Sequence, residues 1–500
     1  GHPIGNSLCE PDQVDACKSL LDEHGDRLFL PEDVVGLGPG GKIGGPTMHK
    51  AIVKQILFPL HEKIIGRKTL SFLKELEALQ WESPERLEQL RFEKLRKLLV
   101  HARKNVPFYA RRFADAGFDP AHMQSIDDFK ILPPLTKADI RRNLEDLKWN
   151  ACPGGLFRYN TGGSTGEPLI FYFDRRRQAY DAAARALTHR WWGVDIGDRE
   201  LYLWGSPLEM KKQDRIKTLR DTLTNQVLIS AFEISPQQVP AIFARMKKFN
   251  PKCIFGYPST IDLFCRMALN QGLHLKNHEI QVVFSTAEVL YDHQRQSISD
   301  YFGGIPVVDG YGSREGGFIS HECPEHTRHV MDPNYVLEIV NDGSAAEPGK
   351  EGEIVVTHLD AWGMPFIRYR TGDIARMGAG QCKCGRGFSS MSAVRGRATD
   401  FIITPDGRWQ HALSIIYVVR DIEGVEEFKI FQHDVDDIQV LLRTDKDLYP
   451  ADGNERIIAG FRKRMGPDVR VRIEMVTEIP KEASGKHRYV VSKVAQQGLK

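Results

Sequence analysis

The chain has 500 residues, of which 41% are hydrophobic and 27% are charged, and its formal net charge at pH 7 is +2. This near-neutral balance gives no indication of a nucleic-acid or acidic-membrane partner, and no apolar run approaches the length of a membrane span. Because the length exceeds what one hydrophobic core usually supports, we expect a large domain and at least one smaller domain.

Residues 1–47 end in a run rich in glycine and proline, Gly38-Pro-Gly-Gly-Lys-Ile-Gly-Gly-Pro46. Such a run is typical of a linker, and Met48 follows it as a start residue would. The stretch from Pro3-Ile-Gly-Asn-Ser-Leu-Cys-Glu10 to Leu30-Pro-Glu-Asp-Val-Val35 resembles a short piece of phosphoglycerate kinase. We therefore expect an appendage, of foreign origin or from a misassigned start, without a role in function. The N-terminus also lacks the plan of a signal peptide, which favours a cytoplasmic protein.

The pattern of apolar residues predicts an α/β fold in two parts. Residues 48–147 show apolar positions at three- and four-residue spacing, which predicts helices. Short β-rich runs then alternate with helical segments, as in layered α/β domains. The predicted strands are 169–173, 201–204, 253–256 and 282–285, and the predicted helices include 178–192 and 240–248. From about Asp400, strands at 428–431, 438–442 and 469–476 predict a small α+β unit.

The most informative local feature is the run Tyr159-Asn-Thr-Gly-Gly-Ser-Thr-Gly-Glu-Pro168. Its small and hydroxylated residues leave backbone N–H groups free to converge on an anion, and a phosphate is the natural guest. No lysine follows as in a Walker loop, and the next residues predict a strand, so the loop should connect a β-hairpin. The alternative is a plain hairpin turn that binds no ligand, but such a turn needs fewer glycines than this run contains. The predicted phosphate-binding residues are Thr161, Gly162, Gly163, Ser164, Thr165 and Gly166.

This loop resembles the phosphate loop of the adenylate-forming superfamily, which includes acyl-CoA synthetases, luciferases and adenylation domains. Within it, the chain is most similar to phenylacetate-CoA ligases and their relatives in capsular-polysaccharide gene clusters. The likeness extends over residues 48–500 and includes Lys97-Leu-Leu-Val-His-Ala-Arg-Lys-Asn-Val-Pro-Phe-Tyr109. It implies an N-terminal adenylate-forming domain at 48–397 and a small mobile C-terminal lid domain at 398–500.

Two ordered motifs carry the nucleotide chemistry that the resemblance implies. Asp309-Gly-Tyr-Gly-Ser-Arg-Glu-Gly316 is similar to the motif that packs against adenine and supplies a carboxylate. Glu315 is the expected Mg²⁺ ligand, because departing pyrophosphate needs its charge neutralised. Asp309 and Tyr311 are expected to bind ATP or AMP, and Gly312 is expected to line the pocket for the acid substrate. In Arg368-Tyr-Arg-Thr-Gly-Asp373, Asp373 is expected to accept hydrogen bonds from the ribose.

The C-terminal motifs are expected to supply the cations and the hinge. Arg395-Gly-Arg-Ala-Thr-Asp-Phe-Ile402 resembles the domain junction, where Arg397 would reach the nucleotide and Thr399 or Asp400 would be the pivot. Pro480-Lys-Glu-Ala-Ser-Gly-Lys-His-Arg488 is similar to the catalytic loop of the family. Adenylation brings two anions together, so an ammonium between them lowers the barrier, and Lys486 is the expected catalytic residue.

Two weaker resemblances concern the pocket for the acid. Phe255-Gly-Tyr-Pro-Ser-Thr260 and Ser285-Thr-Ala-Glu-Val289 are similar to segments that line the acyl pocket and the adenine site. They make Tyr257 and Pro258 candidates for the substrate pocket and Glu288 a candidate for the nucleotide site. Ordinary turns at strand ends would also account for both segments.

Four side chains in two short clusters, Cys323, His329, Cys382 and Cys384, could close a tetrahedral structural Zn²⁺ site. His326 is a rival for the imidazole ligand. The resemblance supports such a site, because related segments flank the same motifs in the phenylacetate-ligase group and some members bind zinc there. Unmetallated buried thiols are the alternative that the sequence leaves open.

The sequence therefore predicts an ATP- and Mg²⁺-dependent ligase that converts a carboxylic acid into its acyl-AMP and passes the acyl group to an acceptor. The resemblance suggests an aromatic acid and makes CoA the default acceptor. The segment 404–413 departs from the glycine-rich segment of CoA ligases, so an amine or hydroxyl acceptor stays open. A nucleotide-binding protein without turnover and a kinase are the other hypotheses; the kinase would need the missing phosphate-loop lysine.

Overall fold

The structure is a computed structural model that describes residues 48–160, 169–204, 223–231, 234, 236–341, 344–347, 349–394, 401–406, 409–411, 413–479 and 489–494. The segment 1–47, which the sequence predicts to be an appendage, lies outside these residues. Among the helices in the described ranges, none has both the length and the apolar character needed to cross a membrane.

The first hundred described residues are helical, as the apolar spacing predicts. They contain α1 Lys50–Ile52, a π-helical turn Val53–Leu57, α2 Phe58–Ile64, α3 Thr69–Leu79, α4 Pro84–Asn105, α5 Pro107–Asp115, 3₁₀ turns at Pro120–His122 and Ile126–Ile131, and α6 Lys137–Arg142. The longest helix, α4, begins after Ser83, whose hydroxyl accepts a hydrogen bond from the Arg86 N–H. Leu95, Leu98 and Leu99 of this helix are fully buried, so its apolar stripe faces the core.

A central sheet of eight strands follows. The strands and their helices are α7 Arg175–Trp191, β3 Glu200–Leu203, β4 Gln226–Ile229, α8 Val239–Phe249, β5 Cys253–Gly256, α9 Pro258–Asn270, β6 Val282–Thr286, α10 Asp292–Tyr301, β7 Val307–Ser313, β8 Gly317–Glu322, β9 Arg328–Val330 and β14 Ser390–Met391. The order of the strands in the sheet is β14-β9-β8-β7-β6-β5-β3-β4. Strands β4, β3, β5, β6 and β7 are parallel, and β8, β9 and β14 continue the sheet antiparallel. The carboxyl ends of the parallel strands therefore meet at one edge, where α/β proteins place their ligands.

Both faces of the parallel strands are covered. Along β5, Ile254 belongs to one apolar cluster with Ile242 of α8 and Phe264 of α9. Its neighbours Cys253 and Phe255 belong to a second cluster on the opposite side of the strand. Strands buried on both faces give the continuous apolar runs that the sequence shows.

Two smaller sheets complete the large domain. A hairpin is formed by β1 Phe157–Asn160 and β2 Ile170–Phe173, which pair antiparallel. An antiparallel sheet of order β11-β10-β12-β13 contains β10 Tyr335–Asn341, β11 Ser344–Ala345, β12 Gly352–His358 and β13 Tyr369–Ala375. The predicted hairpin around the glycine-rich loop is confirmed, because Asn160 pairs with Ile170 on either side of that loop.

The C-terminal part is a separate small α+β unit, as predicted. It consists of β15 Phe401–Ile403, β16 Trp409–His411, α11 Leu413–Arg420, β17 Val425–Asp434, β18 Asp437–Thr444, α12 Gly453–Met465, β19 Arg470–Met475 and β20 Val490–Ser492. Four of these strands form a mixed sheet of order β19-β18-β17-β20. The unit has its own core, in which Ile430, Val440 and Phe461 are fully buried. The fold class, a layered α/β domain followed by a small α+β domain, is confirmed.

Candidate functional site

The centre of the site is a tight hairpin between β7 and β8 that carries Glu315 at its tip. Ser313 pairs with Gly317, so three residues make the turn, and the Ser313 hydroxyl accepts a hydrogen bond of 2.7 Å from the Gly316 N–H. Gly312 permits the close pairing, because a Cβ there would lie 2.4 Å from the Gly317 carbonyl oxygen. Hairpin tips are usually exposed, but Glu315 retains only 4% of its accessible surface.

The Glu315 carboxylate is held from a second sheet. The Tyr369 hydroxyl of β13 donates a hydrogen bond of 2.9 Å to Glu315 Oε1, and Lys137 Nζ lies 3.8 Å from the same oxygen. A buried carboxylate placed in this way supplies the hard oxygen ligands that Mg²⁺ prefers. The residues present therefore fit the predicted metal-binding role of Glu315.

The hairpin tip lies beside the base of the glycine-rich loop. The Arg314 guanidinium donates a hydrogen bond to the carbonyl oxygen of Asn160, the last residue of β1. The predicted phosphate-binding residues Thr161 to Gly166 follow at once and lie outside the described residues. The described strand ends on either side of them pair as β1 and β2, and the Glu315 turn contacts the first of these ends at Asn160.

Tyr311 and Asp373, both of which the sequence predicts at the nucleotide, are in direct contact. The Tyr311 hydroxyl donates a hydrogen bond of 2.8 Å to Asp373 Oδ2, and the Asp373 N–H bonds to Thr371 Oγ1 at 3.1 Å. Burial and the Asp373 carboxylate raise the pKa of Tyr311 well above its ordinary value, so the phenol stays protonated and donates. An ionised carboxylate accepts several hydrogen bonds, which is compatible with the predicted contact to ribose hydroxyls.

Two of the predicted pocket residues, Tyr257 and Pro258, lie at the carboxyl end of β5, and Glu288, predicted for the nucleotide site, follows β6. Tyr257 follows β5 and stacks on Trp204 with ring centroids 4.0 Å apart. Pro258 begins α9, and Glu288 Oε2 accepts a hydrogen bond of 3.3 Å from the Ser259 N–H in the first turn of that helix. Ala287, just before Glu288, has φ +69°, a strained value for a residue with a side chain.

Asp309 is placed differently from its neighbours. Its Oδ2 accepts a hydrogen bond of 2.6 Å from Arg328 Nη2, and its N–H donates to Glu322 Oε2 at 3.0 Å. Burial raises the pKa of Asp309, although Arg328 opposes this shift. The structure thus places Asp309 in an ion-pair network across β7, β8 and β9, two residues before Tyr311.

The two cysteine–histidine segments converge into one cluster. One ligand atom from each of Cys323, His329, Cys382 and Cys384 lies within 4.8 Å of the others. Cys323 Sγ is 3.7 Å from Cys382 Sγ, and His329 Nε2 is 3.2 Å from Cys384 Sγ. Tetrahedral zinc with Zn–S bonds of about 2.3 Å separates two sulfurs by roughly 3.8 Å, which matches the first distance.

The imidazole of this cluster is oriented as in zinc sites. His329 Nδ1 is 2.9 Å from the Phe388 carbonyl oxygen, so it carries the proton and leaves Nε2 free to be a ligand. The rival His326 is not part of the four-residue cluster. Its backbone N–H instead closes a turn with the Cys323 carbonyl.

Lys486, Arg397 and the two pivot candidates Thr399 and Asp400 lie outside the described residues. The described parts of the two domains do contact each other: Arg266 Nη1 of α9 donates to the Glu426 carbonyl oxygen at 3.2 Å. A cavity of about 130 Å³ opens there, lined by residues of both domains. Among its lining residues are Ser259, Thr260, Arg266, Arg420, Glu427 and Tyr489.

Three side chains at the site were not predicted from the sequence. Tyr369 lies within the motif Arg368–Asp373, so the sequence indicated that it is near the site. Its hydrogen bond to Glu315 could not be predicted, because it joins strands of two sheets. Lys137 and Arg177 gave no signal. The Arg177 guanidinium donates a hydrogen bond of 2.6 Å to the Glu315 carbonyl oxygen, although it lies in a run of three arginines that looks like a solvated helix start.

Sequence comparisons find relatives over most of the chain. The family described as "CapK C-terminal domain" matches residues 402–493. Protein CapK of Staphylococcus aureus is 23% identical over 415 residues, which cover 82% of this chain and 90% of that protein. The phenylacetate-coenzyme A ligase of Thermus thermophilus is 25% identical over 347 residues, covering 64% of this chain and 72% of that protein.

Solved structures with the same fold include 2-hydroxyisobutyryl-CoA ligase. Its postadenylation state in complex with R3-HIB-AMP matches with a TM-score of 0.64 at 18% identity, over 84% of this chain and 92% of that chain. The same enzyme in complex with 2-HIB-AMP and CoA in the thioesterification state matches with a TM-score of 0.53 at 19% identity, over 84% and 93% of the two chains.

Proposed function

The chain belongs to the adenylate-forming superfamily, and we propose that it uses ATP to activate a carboxylic acid, aromatic in our assignment, and then transfers the acyl group to a nucleophile. The coarse activity, ATP-dependent formation of an activated acid with release of AMP, is that of the related ligases. Phenylacetate-coenzyme A ligases among the relatives support an aromatic acid.

The observation that carries the proposal is that the strand and turn containing Tyr311 and Glu315 contact both Asp373 and Asn160, the residue before the glycine-rich loop. The Arg314–Asn160 hydrogen bond joins the Glu315 turn to the base of the glycine-rich loop. The Tyr311–Asp373 hydrogen bond joins the expected ribose acceptor, on β13 of the second sheet, to the strand that leads into this turn. Groups that bind the phosphates, the metal and the ribose would have to lie within the length of one nucleotide, and these contacts between residues far apart in the sequence support the proposal.

In the proposed first step, a carboxylate oxygen of the acid attacks the α-phosphorus of ATP. A bond forms between this oxygen and phosphorus, and the bond to the bridging oxygen of the β-phosphate breaks, so pyrophosphate leaves with its electron pair. Mg²⁺ bound at Glu315 would neutralise charge on the phosphates. Lys486 would stabilise the transition state as a cation between the approaching anions.

The remaining assigned residues bind the nucleotide and the acid. We assign Thr161, Gly162, Gly163, Ser164, Thr165 and Gly166 to the phosphates through their backbone N–H groups. We assign Asp373 to the ribose and Arg397 to the nucleotide, which it would reach from the domain junction. We assign Tyr311, Asp309 and Glu288 to the rest of the ATP or AMP site. We assign Tyr257, Pro258 and Gly312 to the wall of the acid site, where Tyr257 is buried and stacks on Trp204.

In the proposed second step, the acceptor attacks the acyl carbon and AMP leaves. Because Lys486 serves adenylation only, the C-terminal domain, which we place at residues 398–500, would rotate between the steps about Thr399 or Asp400. CoA is the acceptor that the related ligases use. Residues 404–413 depart from the glycine-rich segment of CoA ligases, so a comparison with amine and hydroxyl acceptors belongs in the assay.

We also propose that Cys323, His329, Cys382 and Cys384 bind a structural Zn²⁺. The support is the single cluster of four ligand atoms and the Phe388 carbonyl that fixes the His329 tautomer. Zn²⁺ there would tie β8 and β9 to the loop 382–388 and so brace the sheet that carries Glu315. It takes no part in the proposed reaction.

A screen of carboxylic acids for ATP-dependent pyrophosphate release tests the proposal, with CoA present or absent. We expect release that depends on the acid, with one AMP formed for each pyrophosphate when an acceptor is present and acyl-AMP as the product when none is. ADP as the nucleotide product would indicate a kinase instead. Nucleotide binding without exchange of labelled pyrophosphate into ATP, for all acids, would support a binding protein without turnover.

A further inference from the structure

Side chains on one face of helix α7 hydrogen-bond to the backbone of the turn that carries Glu315. Arg177 and Asp181 stand one turn apart on this helix, so both side chains face the β7–β8 hairpin. Arg177 Nη2 donates to the Glu315 carbonyl oxygen at 2.6 Å and approaches the Arg314 carbonyl oxygen at 3.4 Å. On the other side of the turn, Asp181 Oδ1 accepts a hydrogen bond of 3.1 Å from the Phe318 N–H.

Both gripping side chains are buried and fixed by further contacts. Arg177 is 1% exposed, and its guanidinium lies 3.8 Å from the centre of the Phe173 ring. Arg177 Nε is 3.6 Å from Asp181 Oδ2, an ion pair within the helix. Asp181 Oδ1 also accepts from the Tyr335 hydroxyl at 3.2 Å and lies 3.3 Å from His358 Nε2.

The end of the turn packs closely against Asp181 and Tyr335 at Gly317. Gly317 has φ +89°, and a Cβ there would lie 2.3 Å from the Tyr335 hydroxyl and 2.8 Å from Asp181 Oδ1. The start of α7 is itself anchored, because Asp174 caps the Arg177 N–H with Oδ1 and accepts the Trp362 N–H with Oδ2 at 2.8 Å. The turn is therefore bonded on both sides of Glu315 to a helix whose first residues are themselves anchored through Asp174.

We propose that Arg177 is a positioning residue that, together with Asp181, holds the β7–β8 turn so that the Glu315 carboxylate is preorganised to bind the metal of metal–ATP. The inference rests on the proposed function, because it assigns Glu315 to that metal. Arg177 touches only the backbone of the turn and acts through Glu315. A carboxylate on a looser turn would lose part of its metal affinity, because its ordering would have to accompany binding.

The test compares the affinity for ATP, titrated calorimetrically, in the presence of Mn²⁺ and in the presence of EDTA. The ratio of the two affinities is the metal enhancement. We expect Glu315→Gln and Arg177→Met each to reduce the enhancement about tenfold while leaving the EDTA affinity within about threefold of wild type. A general disturbance of the nucleotide site would instead lower both affinities together.

The double variant Glu315→Gln with Arg177→Met decides whether Arg177 acts through Glu315. We expect it to match Glu315→Gln alone within about twofold, because the carboxylate that Arg177 positions is gone. A further loss of enhancement, in proportion to the Arg177 effect, would overturn the inference. Arg176→Met is the matched control: its side chain is bonded to Asp360 instead of the turn, and we expect wild-type enhancement.

Two further variants keep the test decisive if Arg177→Met fails to fold. Asp181→Asn keeps the size of the side chain but weakens the hydrogen bond from the Phe318 N–H. Arg177→Lys keeps the charge but lacks the planar guanidinium that contacts both the Glu315 carbonyl and the Asp181 carboxylate. We expect intermediate losses of enhancement in both, and wild-type enhancement in both would overturn the inference. If Glu315→Gln keeps the full enhancement, or wild type shows none, the proposed role of Glu315 fails and the inference fails with it. If Glu315→Gln loses it and the Arg177 and Asp181 variants do not, the inference alone is wrong.

Discussion

The Tyr311 hydroxyl and the Asp373 carboxylate are joined by a hydrogen bond of 2.8 Å between strands of two different sheets. Tyr311 lies on β7 of the eight-stranded sheet, and Asp373 lies on β13 of the four-stranded sheet. The bond fixes one carboxylate oxygen before any nucleotide binds. For the ribose contact that we propose, the Asp373 carboxylate would therefore lose little further conformational freedom on binding.

Removing the charge of Asp373 should weaken ATP binding. Hydrogen bonds to a charged acceptor contribute about 1.5–3 kcal/mol, so we expect Asp373→Ala to raise the KM for ATP roughly 10- to 100-fold. Tyr311→Phe should give a smaller rise, because it removes only the orienting bond. The assay is acid-dependent pyrophosphate exchange, with Asp300→Asn, an exposed carboxylate bonded to Gln296, as the control. An unchanged KM in Asp373→Ala would contradict the ribose assignment.

Replacing Lys486 should stop adenylation and spare transfer. Loss of one electrostatic donor at a developing charge costs about 10²- to 10³-fold in rate, which is the decrease we expect for acyl-AMP formation by Lys486→Ala. The variant should still transfer the acyl group from supplied acyl-AMP within a few-fold of wild type. Lys481→Ala, in the same segment, is the matched control. Equal losses in both half-reactions would show that Lys486 has a general structural role.

The cysteine–histidine cluster should bind one zinc ion per chain and stabilise the fold. We expect elemental analysis of protein purified without chelator to find this zinc, and Cys384→Ser to lose most of it with a lower Tm, since structural zinc contributes to folding free energy. His329→Ala should lose zinc and His326→Ala should keep it. Cys152→Ser, a thiol outside the cluster, is the control. Zinc-free wild-type protein would reject the site.

His189 should make the protein less stable in acid. Burial, followed by the Arg185 guanidinium, lowers the pKa of His189 to about 4, below its ordinary 6.5. The unfolded chain therefore takes up a proton first as the pH falls below about 6.5, so folding stability declines with falling pH and levels off below about 4. A shift of this size corresponds to about 2 kcal/mol between pH 7 and pH 5.

The measurement for His189 is the free energy of urea unfolding at pH 7 and at pH 5. We expect His189→Gln to depend on pH about 2 kcal/mol less than wild type over this interval. His122→Gln, whose side chain is 85% exposed, should leave the dependence unchanged. A wild-type pH dependence in His189→Gln would show that this imidazole is not held neutral in the folded protein.

Local patterns in the sequence were enough to predict the elements of the site but not their contacts. The strands around the glycine-rich loop and the parallel strands ending at Gly256 and Thr286 follow from short apolar runs between turn residues. The ligand types Cys and His were equally visible. That Cys323 meets Cys382, 59 positions later, depends on how β8, β9 and the following loop pack, which no local pattern encodes.

Arg177 illustrates what the sequence could not reveal. Arg175, Arg176 and Arg177 are three consecutive identical letters at the start of α7. Successive residues of a helix point about 100° apart, so only one of the three faces the Glu315 turn, and tertiary packing decides which. The contact of Tyr369 with Glu315 was hidden for the same reason, because it joins strands of separate sheets.

The most direct test of the central claim follows an oxygen atom from the acid to AMP. An acid from the pyrophosphate-release screen is labelled with ¹⁸O in its carboxylate, and hydroxylamine serves as the acceptor. If the carboxylate attacks the α-phosphorus, mass spectrometry will find one ¹⁸O in each AMP, with the acyl group in the hydroxamate. Unlabelled AMP, or ADP as the product, would contradict adenylate formation by this protein.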